Sequence, residues 1–128
     1  MTQQQPRILK KYIVLRVLFL LGALTLVTIL FWAGSQPQAV SLFPSPYDKI
    51  AHFFTFSILG LLLWLSAGEK CVTVCIVLGI LIGILDEWHQ ASLPGRTPSI
   101  YDLSVDIFAL LFIFATVTFY KKRRCRLK

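Results

Sequence analysis

The sequence predicts an all-α integral membrane protein, a four-helix bundle of two helical hairpins with both termini in the cytoplasm. Three observations carry this. The chain is 56% hydrophobic and only 15% charged, whereas soluble domains run near 25% charged. Four apolar stretches are each long enough to cross a bilayer. The basic residues gather at the ends of those stretches, as membrane anchors do. At 128 residues a single transmembrane domain over 1–128 is the expected organisation.

The first span is expected at 12–33. It is broken only by Arg16, which can snorkel to the headgroups from its cytoplasmic end. At 1.5 Å per residue it covers about 33 Å. Residues 1–11 read as a polar, basic lead, with Pro6 discouraging helix. That apolar run is too long for a signal-peptide core, and further spans follow. Pro37, Pro44 and Pro46 punctuate the loop to the second span, 48–67. Its start reads as Ser45 at N-cap, Pro46 at N1 and Asp48 at N3.

Gly68-Glu69-Lys70 forms a tight turn into the third span, 71–90. Its uncharged part, 71–85, covers only about 22 Å, so Asp86–Gln90 must sit at the interface or below. The fourth span, 101–120, opens with Asp102 and Asp106 and ends in a basic tail, 121–128. Trp88, Tyr101 and Lys49 suit interfacial anchoring.

Orientation follows from Lys and Arg placement. With both termini inside, only Lys49 and Arg96 of the 13 basic residues face outward. Asp48, Asp86, Glu87, Asp102 and Asp106 then share the extracytoplasmic face with His52 and His89. Cys71, Cys75 and Cys125 fall on the reducing side and read as apolar packing residues, not a disulfide framework. The net charge of +7 does not point to nucleic acid, because no basic stripe interleaves with aromatics.

Polar residues inside a membrane span require a reason. Asp48 and His52 are i,i+4 and share a face, as do Asp102 and Asp106. Asp86, His89 and Gln90 lie within one turn, and Glu87 is placed to pair with Gln90. The Asp86/Gln90 face continues through Gly83, Gly79 and Cys75, a small-residue stripe that admits a neighbouring helix. Asp102, Asp106, Ala109 and Thr116 form a second stripe. Asp48 is the nearest partner for His52, and Asp48 and Asp102 read equally well as capping carboxylates. Ser45-Pro46-Tyr47-Asp48…His52 is faintly echoed by Ser99-Ile100-Tyr101-Asp102…Asp106. Arg96 follows Pro94-Gly95 and is presented on a turn, where its guanidinium can pair with the local carboxylates or hold a lipid phosphate bidentately. The cluster suits a divalent metal held through oxygen and nitrogen, and equally an acid/base pair. No zinc-peptidase motif, nucleophile elbow or phosphate loop is present.

Asp48-Lys49-x2-His52-Phe53, Asp86-Glu87-x-His89-Gln90, Pro94-Gly95-Arg96 and Ser99-x2-Asp102 resemble the motifs of the VanZ-like family of small membrane proteins, named for a teicoplanin-resistance factor. Members typically carry Asn four residues after the last Asp, and Gly three further on. This chain has Asp106 and Ala109 there, which implies an altered charge balance. The resemblance implies a multi-pass protein of the bacterial cytoplasmic membrane, in a family linked to lowered sensitivity to lipoglycopeptide antibiotics.

Three functions are expected to compete. The first is action on, or binding of, a membrane lipid or lipid-linked envelope precursor. Asp48, His52, Glu87, Gln90 and Asp102 would be the working groups, and Lys49, Asp86, His89, Arg96 and Ser99 the substrate contacts. The second is a non-catalytic partner or structural subunit whose polar cluster is an interhelical network. The third is an ion or proton path, which the apolar cytoplasmic halves of the spans disfavour. Four short helices bury little against one another, which suits a homo-oligomer.

Overall fold

The computed structural model describes residues 4–36, 38 and 44–126. Pro37, most of the loop that follows it, and the last two residues of the basic tail lie outside the described residues. Among the described residues there are four α-helices and no strand: α1 (Gln4–Gly34), α2 (Tyr47–Ala67), α3 (Val72–Ala91) and α4 (Ile100–Arg126). A short 3-10 turn, Glu69–Cys71, joins α2 to α3. Each of the four is long and apolar enough to cross a membrane.

Two ends run further than expected. α1 begins at Gln4 and passes through Pro6. A proline in the first helical turn costs little, since the N–H it lacks would have no intrahelical acceptor. α4 continues through the basic tail to Arg126. Lys and Arg are good helix formers, and positive charge is favoured at a helix C-terminus. The start of α2 also differs. Pro46 is the N-cap, with no side-chain cap bond, so Ser45 does not cap this helix. The Tyr47 N–H instead reaches the Pro44 carbonyl at 2.9 Å, and the Lys49 N–H reaches Pro46 O at 3.2 Å. Backbone acceptors thus replace the serine.

The core is small and centred on α2, which packs against all three other helices. Phe56, Leu59 and Leu63 of α2 meet Ala109, Leu110 and Phe114 of α4, with Cys75 of α3 and Ala23 of α1 at the sides. The helices of each hairpin pack together, yet the most extensive contact is between hairpins, α2 on α4. Glycines make this possible. A Cβ on Gly79 would lie 2.7 Å from Leu110 Cδ2, and one on Gly60 would lie 2.8 Å from Ile113 Cγ2. The small-residue stripe of α3 is therefore the track on which α4 runs. Its members Cys75, Gly79, Gly83, Asp86 and Gln90 are all buried. On α4 the buried stripe is Asp102, Asp106, Ala109, Leu110 and Phe114. Thr116 is exposed, its hydroxyl donating to the Phe112 carbonyl at 2.8 Å, so it needs no interhelical partner.

The outer surface is apolar on every helix: Leu18, Leu24, Ile58, Val77 and Phe108 are among many large side chains turned outward. Water does not tolerate so continuous an apolar surface, but lipid requires it.

The two ends of the bundle differ in chemistry. At one, Glu69 pairs with Lys121, whose ammonium also lies 4.9 Å from the Trp64 ring centroid. Gly68 there has φ +85, and a Cβ on it would lie 2.9 Å from Arg16 Nη2; both the left-handed backbone and the guanidinium favour glycine. The other five carboxylates lie toward the opposite end, where α1 and α3 finish and α2 and α4 begin.

Candidate functional site

Two helix N-termini, of α2 and α4, supply Asp48 and Asp102 in their first turns, where a carboxylate is favoured by the helix dipole. Lys49 binds both. Its Nζ donates to Asp102 Oδ1 at 3.0 Å and to Asp48 Oδ2 at 3.2 Å. The cation expected as a substrate contact is thus already shared by two carboxylates across the α2–α4 interface.

One turn deeper the same two helices meet again. His52 Nδ1 lies 3.0 Å from Asp106 Oδ1, with Asp106 fully buried. The expected partner, Asp48, does not reach His52. An i,i+4 pair on one helix can share a face without touching, and the Asp106 carboxylate faces the imidazole directly across the interface. Phe56 stacks on His52, planes 5° apart. The echo between 45–52 and 99–106 therefore has a structural counterpart: its acidic positions are bridged by Lys49, and His52 pairs with Asp106.

Glu87 departs from expectation too. It does not bond Gln90; its Oε2 accepts the Ser99 N–H at 2.6 Å. The Ser99 hydroxyl in turn accepts the Asp102 N–H at 3.3 Å. In a capping box the first-turn acid would return to the serine N–H. Here Glu87 from α3 takes that place, which frees the Asp102 carboxylate for Lys49. Gln90 Nε2 donates to Asp86 Oδ2 at 2.8 Å, as the i,i+4 spacing implies. His89 turns away to α1, with Nε2 3.3 Å from Ser35 Oγ and its ring on Phe31.

Arg96 closes a turn. Its N–H reaches Leu93 O at 3.2 Å, with Pro94 and Gly95 (φ +77) in the central positions, the pattern of a type II turn. Among the described residues no carboxylate forms an ion pair with it, and its buried Nε has no acceptor.

Part of this cluster borders a cavity of about 530 Å³. Leu26, Ile29 and Leu30 of α1 give it an apolar wall. Asp48, Lys49, His52, Gln90, Arg96, Ser99 and Asp102 supply the polar one. Asp86, Glu87 and His89 do not line it. Sequence reasoning did not anticipate α1 as a wall, since its residues there are uniformly apolar and carry no positional signal.

Residues 4–121 match the family model described as VanZ/LLP1. The chain belongs to that family. Neither a curated protein nor a solved structure matches it. Within this VanZ/LLP1 protein the family motifs quoted from the sequence converge on one end of the bundle. Asp106, in place of the usual Asn, carries the carboxylate that holds His52.

Proposed function

We propose that this VanZ-like protein binds a membrane lipid or lipid-linked envelope precursor by its anionic headgroup, at the outer face of the bacterial cytoplasmic membrane. The observation that carries the reading is Arg96: a guanidinium on the cavity wall whose buried Nε has no acceptor. A phosphate offers the paired oxygens that a guanidinium fork prefers. The apolar α1 wall beside it suits an acyl or polyprenyl chain, so the cavity matches an amphiphile in both halves. The orientation rests on the scarcity of Lys and Arg at this end. On this reading, altered teicoplanin sensitivity follows from altered handling of an envelope lipid.

The test is native mass spectrometry of detergent-purified wild type and Arg96→Gln, with Arg124→Gln as a charge-matched control. A phospholipid or polyprenyl phosphate retained by wild type and control but lost from Arg96→Gln supports the proposal. Equal lipid occupancy in all three overturns it.

A second reading is favoured by a specific observation. The Lys49–Asp102, His52–Asp106 and Glu87–Ser99 contacts each join separate elements. On that reading the cluster is an interhelical network, each contact contributing about 0.6–1.7 kcal/mol. His52→Ala then lowers folded yield in the membrane, and lipid occupancy per folded molecule stays constant.

A further inference from the structure

α2 and α3 bring together His52, which lines the cavity, with Asp86 and Glu87, which do not, and the Arg96 reading rests on none of the three. His52, Asp86 and Glu87 each offer one ligand atom, and the three atoms lie within 4.8 Å of one another. Tetrahedral ligands on a zinc-sized ion stand about 3.4 Å apart, given bonds of about 2.1 Å. Small side-chain rotations therefore suffice to bring all three onto one centre.

A second observation is independent of this clustering. Asp86 is 1% exposed and Glu87 8% exposed. Each uses one carboxylate oxygen, on Gln90 and Ser99 respectively, while Asp86 Oδ1 and Glu87 Oε1 are buried without a partner. Unsatisfied buried carboxylate oxygens are costly, and two on adjacent residues repel each other. A divalent cation removes both penalties, since two carboxylates and a neutral imidazole balance its charge.

The imidazole is also prepared. Asp106 Oδ1 faces Nδ1 at 3.0 Å. That contact occupies Nδ1 and leaves Nε2, the other ring nitrogen, as the one that can ligate. Carboxylate, histidine and metal in series is the arrangement that fixes a ligating histidine and raises its basicity.

We infer that His52, Asp86 and Glu87 form a binding site for one divalent transition cation of the zinc or manganese type, with Asp106 orienting His52. One nitrogen and two oxygens suit such ions better than the softer thiolate-seeking ones. Three protein ligands leave a coordination position open. The inference stands apart from headgroup binding, because Arg96 has no part in it.

The experiment is equilibrium dialysis of the detergent-purified full chain against Zn²⁺ or Mn²⁺, with elemental analysis. Wild type, Glu69→Gln and Arg96→Gln are expected to hold one ion per chain. Asp86→Asn and Glu87→Gln are expected to bind at least about tenfold more weakly while keeping their far-UV circular dichroism. Because either variant can fail to fold, a wild-type readout is added: electron spin-echo spectra of the Mn²⁺ form with ¹⁵N-labelled histidine. Coupling to one imidazole nitrogen supports the site. Folded wild type without an ion, an ion retained undiminished by the folded variants, or a Mn²⁺ signal without imidazole coupling overturns it. Loss of lipid but not metal in Arg96→Gln separates this site from the headgroup proposal.

Discussion

His52 and Asp106 sit on different helices, 54 positions apart, with Nδ1 and Oδ1 at 3.0 Å. The contact lies one turn below the ends of α2 and α4, with Asp106 fully buried. Asp106→Ala leaves His52 Nδ1 without its hydrogen-bond partner, a loss of about 1–3 kcal/mol by the cost of an orphaned polar atom. Asp106→Asn, the residue the family usually carries here, keeps a carbonyl acceptor and costs less. Thermal unfolding in detergent should rank wild type above Asn above Ala. Equal midpoints for wild type and Ala would mean that His52 finds another partner.

Glu87 reaches across from α3 to cap the start of α4 through the Ser99 N–H, at 2.6 Å. Glu87→Ala removes that acceptor and should loosen the 96–102 segment first. Glu87→Gln retains a carbonyl oxygen and should preserve it. Hydrogen exchange resolved to peptides gives the comparison: faster exchange confined to the start of α4 in the alanine variant is expected. Uniform acceleration over the whole chain would instead indicate general destabilisation.

Much of this was legible in the sequence, and the reasons are physical. Apolar length located all four spans, and the glycine stripe of α3 marked its inward face because only small side chains allow so close a neighbour. Spacing along one helix told which residues share a face, so Asp86–Gln90 was recoverable. It could not tell which face meets which. A shared helix points His52 toward Asp48, whereas the relative rotation of α2 and α4 gives it to Asp106. The same logic points Glu87 toward Gln90, and the path of the loop gives it to Ser99. Polarity suggests an end to helix at 12 and at 120, but Lys and Arg extend helices readily, and α1 and α4 run on to Gln4 and Arg126.

Orientation can be read from the native cysteines. Cys71 and Cys125 belong to the end of the bundle carrying the Glu69–Lys121 pair. The orientation proposed from the Lys and Arg distribution has that end in the cytoplasm. In intact spheroplasts a membrane-impermeant maleimide should leave both unlabelled and should label the exposed Cys125 once the membrane is opened. An added cysteine at Arg96 should show the reverse. Labelling of Cys125 in intact cells would invert the topology and move the candidate site to the cytoplasmic face.

The tightest helix contact makes the sharpest stability test. A Cβ at Gly79 would stand 2.7 and 2.8 Å from the two δ-carbons of Leu110, which is itself fully buried. Leu110 packs closely on Gly60 as well, where a Cβ would lie 3.2 Å from its Cδ2. Gly79→Ala therefore requires the buried Leu110 side chain or the α3–α4 spacing to shift, at about 1–3 kcal/mol for overpacking, despite the helix propensity alanine adds. Gly34, with nothing within 4 Å of its Cβ position, supplies the control, and Gly34→Ala should be close to neutral. Because α4 carries Asp102 and Asp106, the displacement should also reach the polar end of the bundle. Leu110→Ala in the Gly79→Ala background should then restore part of the lost stability, by making room where the new methyl intrudes. A double variant less stable than the sum of the two single changes would show that Gly79 and Leu110 do not oppose each other across this interface.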